Sequence, residues 1–241
     1  MSDIPVSSHK IADPRLQSVF EINNVPALLP MSYRLWKPNL IRRLAIFLHG
    51  YADHSGSFLR RLFPNGWPEK LNDVGLLAPN GPFPVPVRTE EGWREAYSWY
   101  FFDEARKRML ISPDHAVTGI KMLLEKHELI ETPKTIIGFS QGGFFSPYLA
   151  RHLSEIESIV AIGSGYRQDY YEKLNVDQIR LIAIHGQQDE IFPVESAKQS
   201  HQKILELGFK GYFLEVQGAR HNACSEFGQI ITNLLETKDN G

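Results

Sequence analysis

Short apolar runs that end in glycine-bearing turns recur along this chain, separated by longer amphipathic stretches. "LAIFLHG" (44–50), "VGLLAPNG" (74–81), "TIIGF" (135–139), "SIVAIGSG" (158–165), "IRLIAIHG" (179–186) and "GYFLEV" (211–216) read as strands short enough to be buried. Between them, 112–129 opens on Ser112-Pro113-Asp114, a serine cap with proline at the first helical position, and Val117, Ile120, Leu123 and Leu124 mark one helical face. The stretches 194–207, stopped by Gly208, and 226–236 read as further helices. Strands alternating with helices predict an α/β fold: a mostly parallel central sheet with helices on both faces. Ligands in such sheets bind at the carboxyl ends of the strands, which is where the glycine turns fall. Residues 1 to about 30 are polar and proline-punctuated and are expected to form an irregular lead-in with at most an edge strand. Residues 31–241, without a linker or repeat, are expected to form one domain.

Composition removes several classes of function. At 42% hydrophobic and 22% charged residues the chain is of ordinary globular make-up, and 241 residues bury a core without disulfide or metal staples. A net charge of -2 gives no footprint for nucleic acid. The single cysteine, Cys224, excludes an intrachain disulfide and suits a reducing compartment. "MSDIPVSSHK" has no apolar run after a basic segment, so it is not a secretory signal, and no stretch approaches the ~20 apolar residues of a membrane span. The expectation is a cytoplasmic protein without stable membrane insertion.

The run "TIIGFSQGG" (135–143) places a serine among three glycines directly after a strand. The pattern G-x-S-x-G is that of a nucleophile elbow, although by chance it arises in roughly one chain in ten of this length. Context must therefore decide. A serine hydroxyl needs a base, and position on the strand framework separates the nine histidines. His9 lies in the lead-in, His54 comes early in the chain, and His115, His127, His152 and His201 fall in predicted helices. His49 and His185 close two strands and are placed to order loops. His221, in "VQGARHNA" just after the last strand and beyond Gly218, is the one placed to swing over the sheet edge. Its orienting acid comes from "LIAIHGQQDEIFP": Asp189, with Glu190 as a solvated neighbour. Taken alone, Asp189 and Glu190 are better read as turn or cap residues ahead of Pro193. The order Ser140, Asp189, His221, each after its own strand, is the order of triad members in α/β-hydrolases. The oxyanion hole then falls to the N–H groups of Gln141, after the serine, and Tyr51, beside Gly50 in "FLHGYAD".

"FLHGYADHSGSF", "APNGPFPVPV", "WYFFD", "GFSQGG", "GSGY", "HGQQDEIFPVE" and "GARHNA", in that order over most of residues 41 to 225, resemble the phospholipase/carboxylesterase family of α/β-hydrolases, a group of small serine esterases and acyl-protein thioesterases. The resemblance carries over Ser140, Asp189 and His221 as triad and Tyr51 and Gln141 as oxyanion donors, and implies an α/β-hydrolase fold without a large cap domain and without a cofactor. Two features depart from the family pattern. "FFSPYLA" after the elbow is bulky and contains Pro147, which predicts a kink or a late helix start. The segment 82–109 is longer and more aromatic, and is expected to wall an apolar acyl pocket with Trp93, Tyr97, Trp99 and Tyr100, narrowed by Phe144 and Phe145. The expected activity is hydrolysis of carboxylic esters of short to medium acyl chains through an acyl-enzyme on Ser140, with no metal, since no ligand spacing such as H-E-x-x-H occurs. The expected partner is a small-molecule ester or thioester, and a homodimer is left open. Acyl-protein thioesterase or lysophospholipase activity is the alternative within this chemistry. Outside it stands a non-catalytic ligand-binding protein on the same fold.

Overall fold

Residues 8–10, 21–23 and 29–236 are described by the computed structural model of the chain. Seven strands form one sheet: β1 (Tyr33–Trp36), β2 (Arg43–Leu48), β3 (Val74–Pro79), β4 (Lys134–Phe139), β5 (Ile156–Ile162), β6 (Arg180–Gly186) and β7 (Lys210–Val216). Their spatial order is β7-β6-β5-β4-β2-β3-β1. Every neighbouring pair is parallel except β1, which runs antiparallel to β3 with Leu35 opposite Leu77. Six of these strands are the ones read from the sequence, with shifted ends. The seventh, β1, is an addition: "YRLW" lies at the sheet edge and alternates half-buried with exposed positions, too short and polar a pattern to stand out.

Among the described residues six α-helices flank the sheet: α1 (Ser55–Leu62), α2 (Asp114–Lys126), α3 (Gln141–Ala150), α4 (Gln168–Tyr171), α5 (Val194–Leu205) and α6 (Ser225–Glu236). Strand alternation divides them between two faces. Leu44, Ile46 and Leu48 of β2 point to the face where α2, α3 and α5 pack, through residues such as Ile120, Phe145 and Ile204. Ala45 and Phe47 of the same strand point to α1 and α6, through Phe58 and Phe227. Each such Leu, Ile or Phe, withdrawn from water, contributes about 1.5–3 kcal/mol. α2 starts one residue later than expected: Asp114 is its first residue and Pro113 (φ -68°, ψ -6°) takes the cap position without a side-chain cap bond, while the Ser112 hydroxyl accepts the Asp114 N–H at 3.2 Å.

β4 is held at both ends. At its start the buried Lys134 donates to the carbonyls of Ile130, Thr132 (2.7 Å) and Ser154 (3.1 Å), so its ammonium is hydrogen-bonded although burial lowers its pKa. At its far end the chain turns through Ser140 into α3. The segment 82–109 forms no separate layer. It folds into three small antiparallel ribbons, Phe83–Pro84 with Tyr97–Ser98, Val87–Thr89 with Gly92–Arg94, and Phe101–Asp103 with Arg108–Ile111, lying over the carboxyl ends of the strands. The expected lead-in falls largely outside the described residues; within it Ser8–Lys10 and Glu21–Asn23 pair antiparallel. No helix among the described residues is long and apolar enough to cross a membrane.

Candidate active site

Ser140 stands between β4 and α3 with φ 50° and ψ -115°, a left-handed conformation for a residue with a side chain. Holding such a backbone costs of order 1–3 kcal/mol and needs surroundings that enforce it. They are present. The Ser140 N–H donates to the Ile162 carbonyl of β5 at 2.9 Å, and its own carbonyl accepts the Phe144 N–H at 3.1 Å. The neighbouring glycines are required by space. A Cβ on Gly138 would collide with the Gly142 carbonyl, and one on Gly142 with the carbonyl of Leu48. α3 begins at once, at Gln141, so the late start expected from Pro147 does not occur. Pro147 lies inside the helix, where it lacks the N–H that would have bonded to the Gly143 carbonyl.

The three residues picked out by chain order meet in space. The His221 ring lies with Nε2 3.0 Å from Ser140 Oγ and Nδ1 2.7 Å from Asp189 Oδ2. Its side chain is 16% exposed, whereas the Asp189 side chain is fully buried. The other Asp189 oxygen, Oδ1, accepts the N–H groups of Ile191 (3.0 Å) and Phe192 (2.7 Å), so the carboxylate is fixed by the turn that carries it. His185 braces that turn: its Nε2 is 2.7 Å from the Phe192 carbonyl and 3.3 Å from Asp189 Oδ2. Burial lowers its pKa, which favours the neutral ring. Glu190 points outward, 75% exposed, 3.8 Å from Arg220.

Tyr51 and Gln141 also border this point, and one buried network ties them together. The Gln141 N–H belongs to the first turn of α3, whose donors lack partners within the helix and whose dipole favours negative charge. The Gln141 side chain accepts the Trp99 N–H at 3.1 Å and donates to the Tyr100 carbonyl at 3.0 Å. The Trp99 indole donates to the His49 carbonyl at 2.8 Å and lies against the His49 ring, centroids 4.7 Å apart. His49 Nδ1 donates to the Gly50 carbonyl at 2.7 Å while Nε2 accepts the Gly81 N–H at 2.9 Å, a tautomer assigned from these partners. In a trans peptide the carbonyl and the following N–H point oppositely, so fixing the Gly50 carbonyl fixes the direction of the Tyr51 N–H. Sequence reasoning gave Gln141 only a backbone role; no local pattern announces that its side chain pins residues 98–100.

The pocket expected from the aromatic segment is only partly assembled. Tyr100 and Phe144 do line a cavity of about 510 Å³ beside Gln141, together with Tyr51, Phe101 and Phe102. Trp99 does not: it is wholly buried and stacks on Phe145, which is itself core. Trp99 and Tyr100 lie in the bend between two ribbons, which turns Trp99 into the core and leaves Tyr100, with Phe101 and Phe102, at the cavity. Trp93, 72% exposed, sits on the outer ribbon and borders a separate surface depression. Tyr97 pairs with Asp53 through the backbone and turns its hydroxyl to Glu95. A second cavity, also about 510 Å³, shares Tyr51 with the first and is lined by Ser140, Arg61, Arg94 and His221 among others. Neither arginine was singled out in the sequence, where each is one charge among many.

The buried histidines make stability depend on pH. Burial lowers the pKa of His49 from 6.5 to about 4, against the pull of the Gly50 carbonyl. His201 is lowered to about 4 by burial, and neither ring nitrogen has a hydrogen-bond partner among the described residues. A histidine whose folded pKa lies below its unfolded value stabilises the fold above pH 6.5, and that contribution is lost as pH falls toward 4. Between pH 7 and 5 each should cost about 2 kcal/mol, so urea midpoints measured at the two pH values should differ clearly. His201→Phe should remove a large share of that difference. An unchanged midpoint would contradict these burials.

The family profile described as phospholipase/carboxylesterase matches residues 39–238. A protein of Dictyostelium discoideum, acyl-protein thioesterase 1 homolog 1, is 27% identical over 212 residues, covering 79% of this chain and 88% of its own. Among solved structures, esterase PE8 aligns with a TM-score of 0.67 at 20% identity, covering 85% of this chain and 97% of its own. Zea mays acyl-protein thioesterase 2 aligns with a TM-score of 0.59 at 14% identity, covering 85% and 99%. At these identities the structural likeness is one of fold, the α/β-hydrolase fold.

Proposed function

This chain belongs to the phospholipase/carboxylesterase family of hydrolases, and from that membership we propose that it cleaves carboxylic esters through an acyl-enzyme on Ser140. The observation that carries the proposal is the pair of distances at His221, 3.0 Å to Ser140 Oγ and 2.7 Å to Asp189. In the first step Ser140 Oγ attacks the ester carbonyl while His221 Nε2 takes its proton. Asp189 keeps the remaining proton on Nδ1 and stabilises the imidazolium. The carbonyl oxygen becomes an oxyanion that accepts the N–H groups of Gln141 and Tyr51, donors held in place before the reaction begins. Collapse breaks the bond to the leaving atom, which departs with the proton from His221. Water, activated by the same ring, then releases the acid and restores Ser140.

The acyl group is assigned to the cavity of Tyr100, Phe101, Phe102 and Phe144. Its aromatic walls favour short to medium chains. Each methylene that fits should raise kcat/KM about fourfold, from about 0.8 kcal/mol of burial, until roughly eight carbons. Beyond that length the gain should stop, because overpacking costs energy. A series of activated acyl esters of increasing length, run beside a Ser140→Ala control, tests this: kcat/KM still climbing at sixteen carbons would contradict it. A thioester is the second substrate class, favoured by the name of the Dictyostelium relative.

A further inference from the structure

The two cavities, which share Tyr51, differ in chemistry: one is lined by Gln141 and aromatic side chains, the other by Ser140 and His221. Which half of a substrate enters each follows from the proton path, given the serine-hydrolase reading above. His221 must deliver its proton to the leaving atom, so the leaving group lies on the His221 side. That side is the cavity lined by Asp53, Arg61, Arg94, Ser140, Ile191 and His221. Arg61 is already engaged, 2.5 Å from Asp53 and 2.5 Å from the Ser57 hydroxyl. Arg94 is not. Among the described residues its one hydrogen-bond partner is the Ala52 carbonyl, at 3.1 Å. A guanidinium carries five N–H donors in a fork that matches carboxylate and phosphate oxygens.

The wider balance of charge points the same way. Of the cations lining the two cavities, Arg61 pairs with Asp53, Lys107 with Glu104 and Arg167 with Asp169, which leaves Arg94 without a carboxylate partner among the described residues. The same field reaches His54, at the start of α1: burial lowers its pKa, Asp53 opposes this, and Arg60, Arg94 and Arg34 lower it further. An exposed cation with no carboxylate partner attracts anionic groups from solution.

We propose that the leaving-group side recognises an alcohol or thiol that bears an anionic group, a carboxylate or a phosphate, held by Arg94. The group takes no part in bond making. It positions the ester so that the bond to the leaving atom points at His221.

The test uses butyrate esters of three phenols of matched acidity, one neutral, one with a carboxymethyl and one with a phosphonomethyl substituent. In the wild type at low salt, kcat/KM should be about tenfold higher for an anionic ester than for the neutral one. The better of the two anionic esters identifies the group. Arg94→Ala should bring the ratio of kcat/KM for anionic over neutral ester down to about one, whatever it does to the neutral rate itself, Arg94→Lys should retain part of the preference, and 0.5 M salt should erode it. Equal rates for all three esters, or a preference that survives Arg94→Ala, would overturn the proposal. Calorimetric titration with the free anionic phenols separates this from the hydrolase reading itself. Binding about tenfold weaker in Arg94→Ala supports the subsite even if no ester turns over, and binding indifferent to Arg94 overturns it.

Discussion

Asp189→Asn is expected to leave the fold intact and to lower kcat about 10⁴-fold. The size of the effect follows from which way the new amide must face. Asp189 Oδ1 accepts two backbone N–H groups, from Ile191 and Phe192, so the asparagine oxygen is held there and its NH₂ is turned to His221. An NH₂ facing Nδ1 makes that nitrogen an acceptor and moves the ring proton to Nε2, opposite Ser140 Oγ. The imidazole can then no longer take the serine proton. Steady-state rates with a fixed activated ester check this. Glu190→Gln, at an exposed carboxylate, should cost less than tenfold in the same assay, and the reverse ranking would move the acid to Glu190.

Ser140→Ala should have the larger effect, about 10⁶-fold in kcat, because no acyl-enzyme can form. Alanine must still adopt φ near 50° at this turn. Because serine bears the same strain, the substitution should change stability little, and a comparison of urea midpoints separates lost chemistry from lost fold. Activity within tenfold of wild type would show that another group attacks the ester.

Much of this arrangement is visible in the amino acids themselves, and the reason is physical. Buried parallel strands must be apolar on both faces, so "AIFL" and "TIIG" stand out from their surroundings. A serine on a strained turn needs small neighbours, so Gly138 and Gly142 flank it where any Cβ would strike backbone. Chain order then pairs Ser140 with Asp189 and His221, because each ends its own strand. Other features leave no such mark. Edge strand β1 has neither length nor apolar density. Trp99 and Tyr100 are adjacent aromatics with opposite fates, one in the core and one at the cavity. Nothing short of the geometry of the bend between two ribbons separates them. The Gln141 side chain and Arg94 gain their places from contacts with segments 40 or more residues away, and sequence periodicity carries no information at that range.

The central claim is that Ser140 is an activated nucleophile, and a fluorophosphonate probe tests it most directly, because an ordinary serine hydroxyl does not attack phosphorus at a useful rate. Intact-mass analysis of the folded protein should show a single covalent adduct, mapped by digestion to the peptide holding Ser140 and absent from Ser140→Ala. A folded wild type that remains unlabelled would favour a non-catalytic ligand-binding role, and an adduct that persists in Ser140→Ala would place the nucleophile elsewhere.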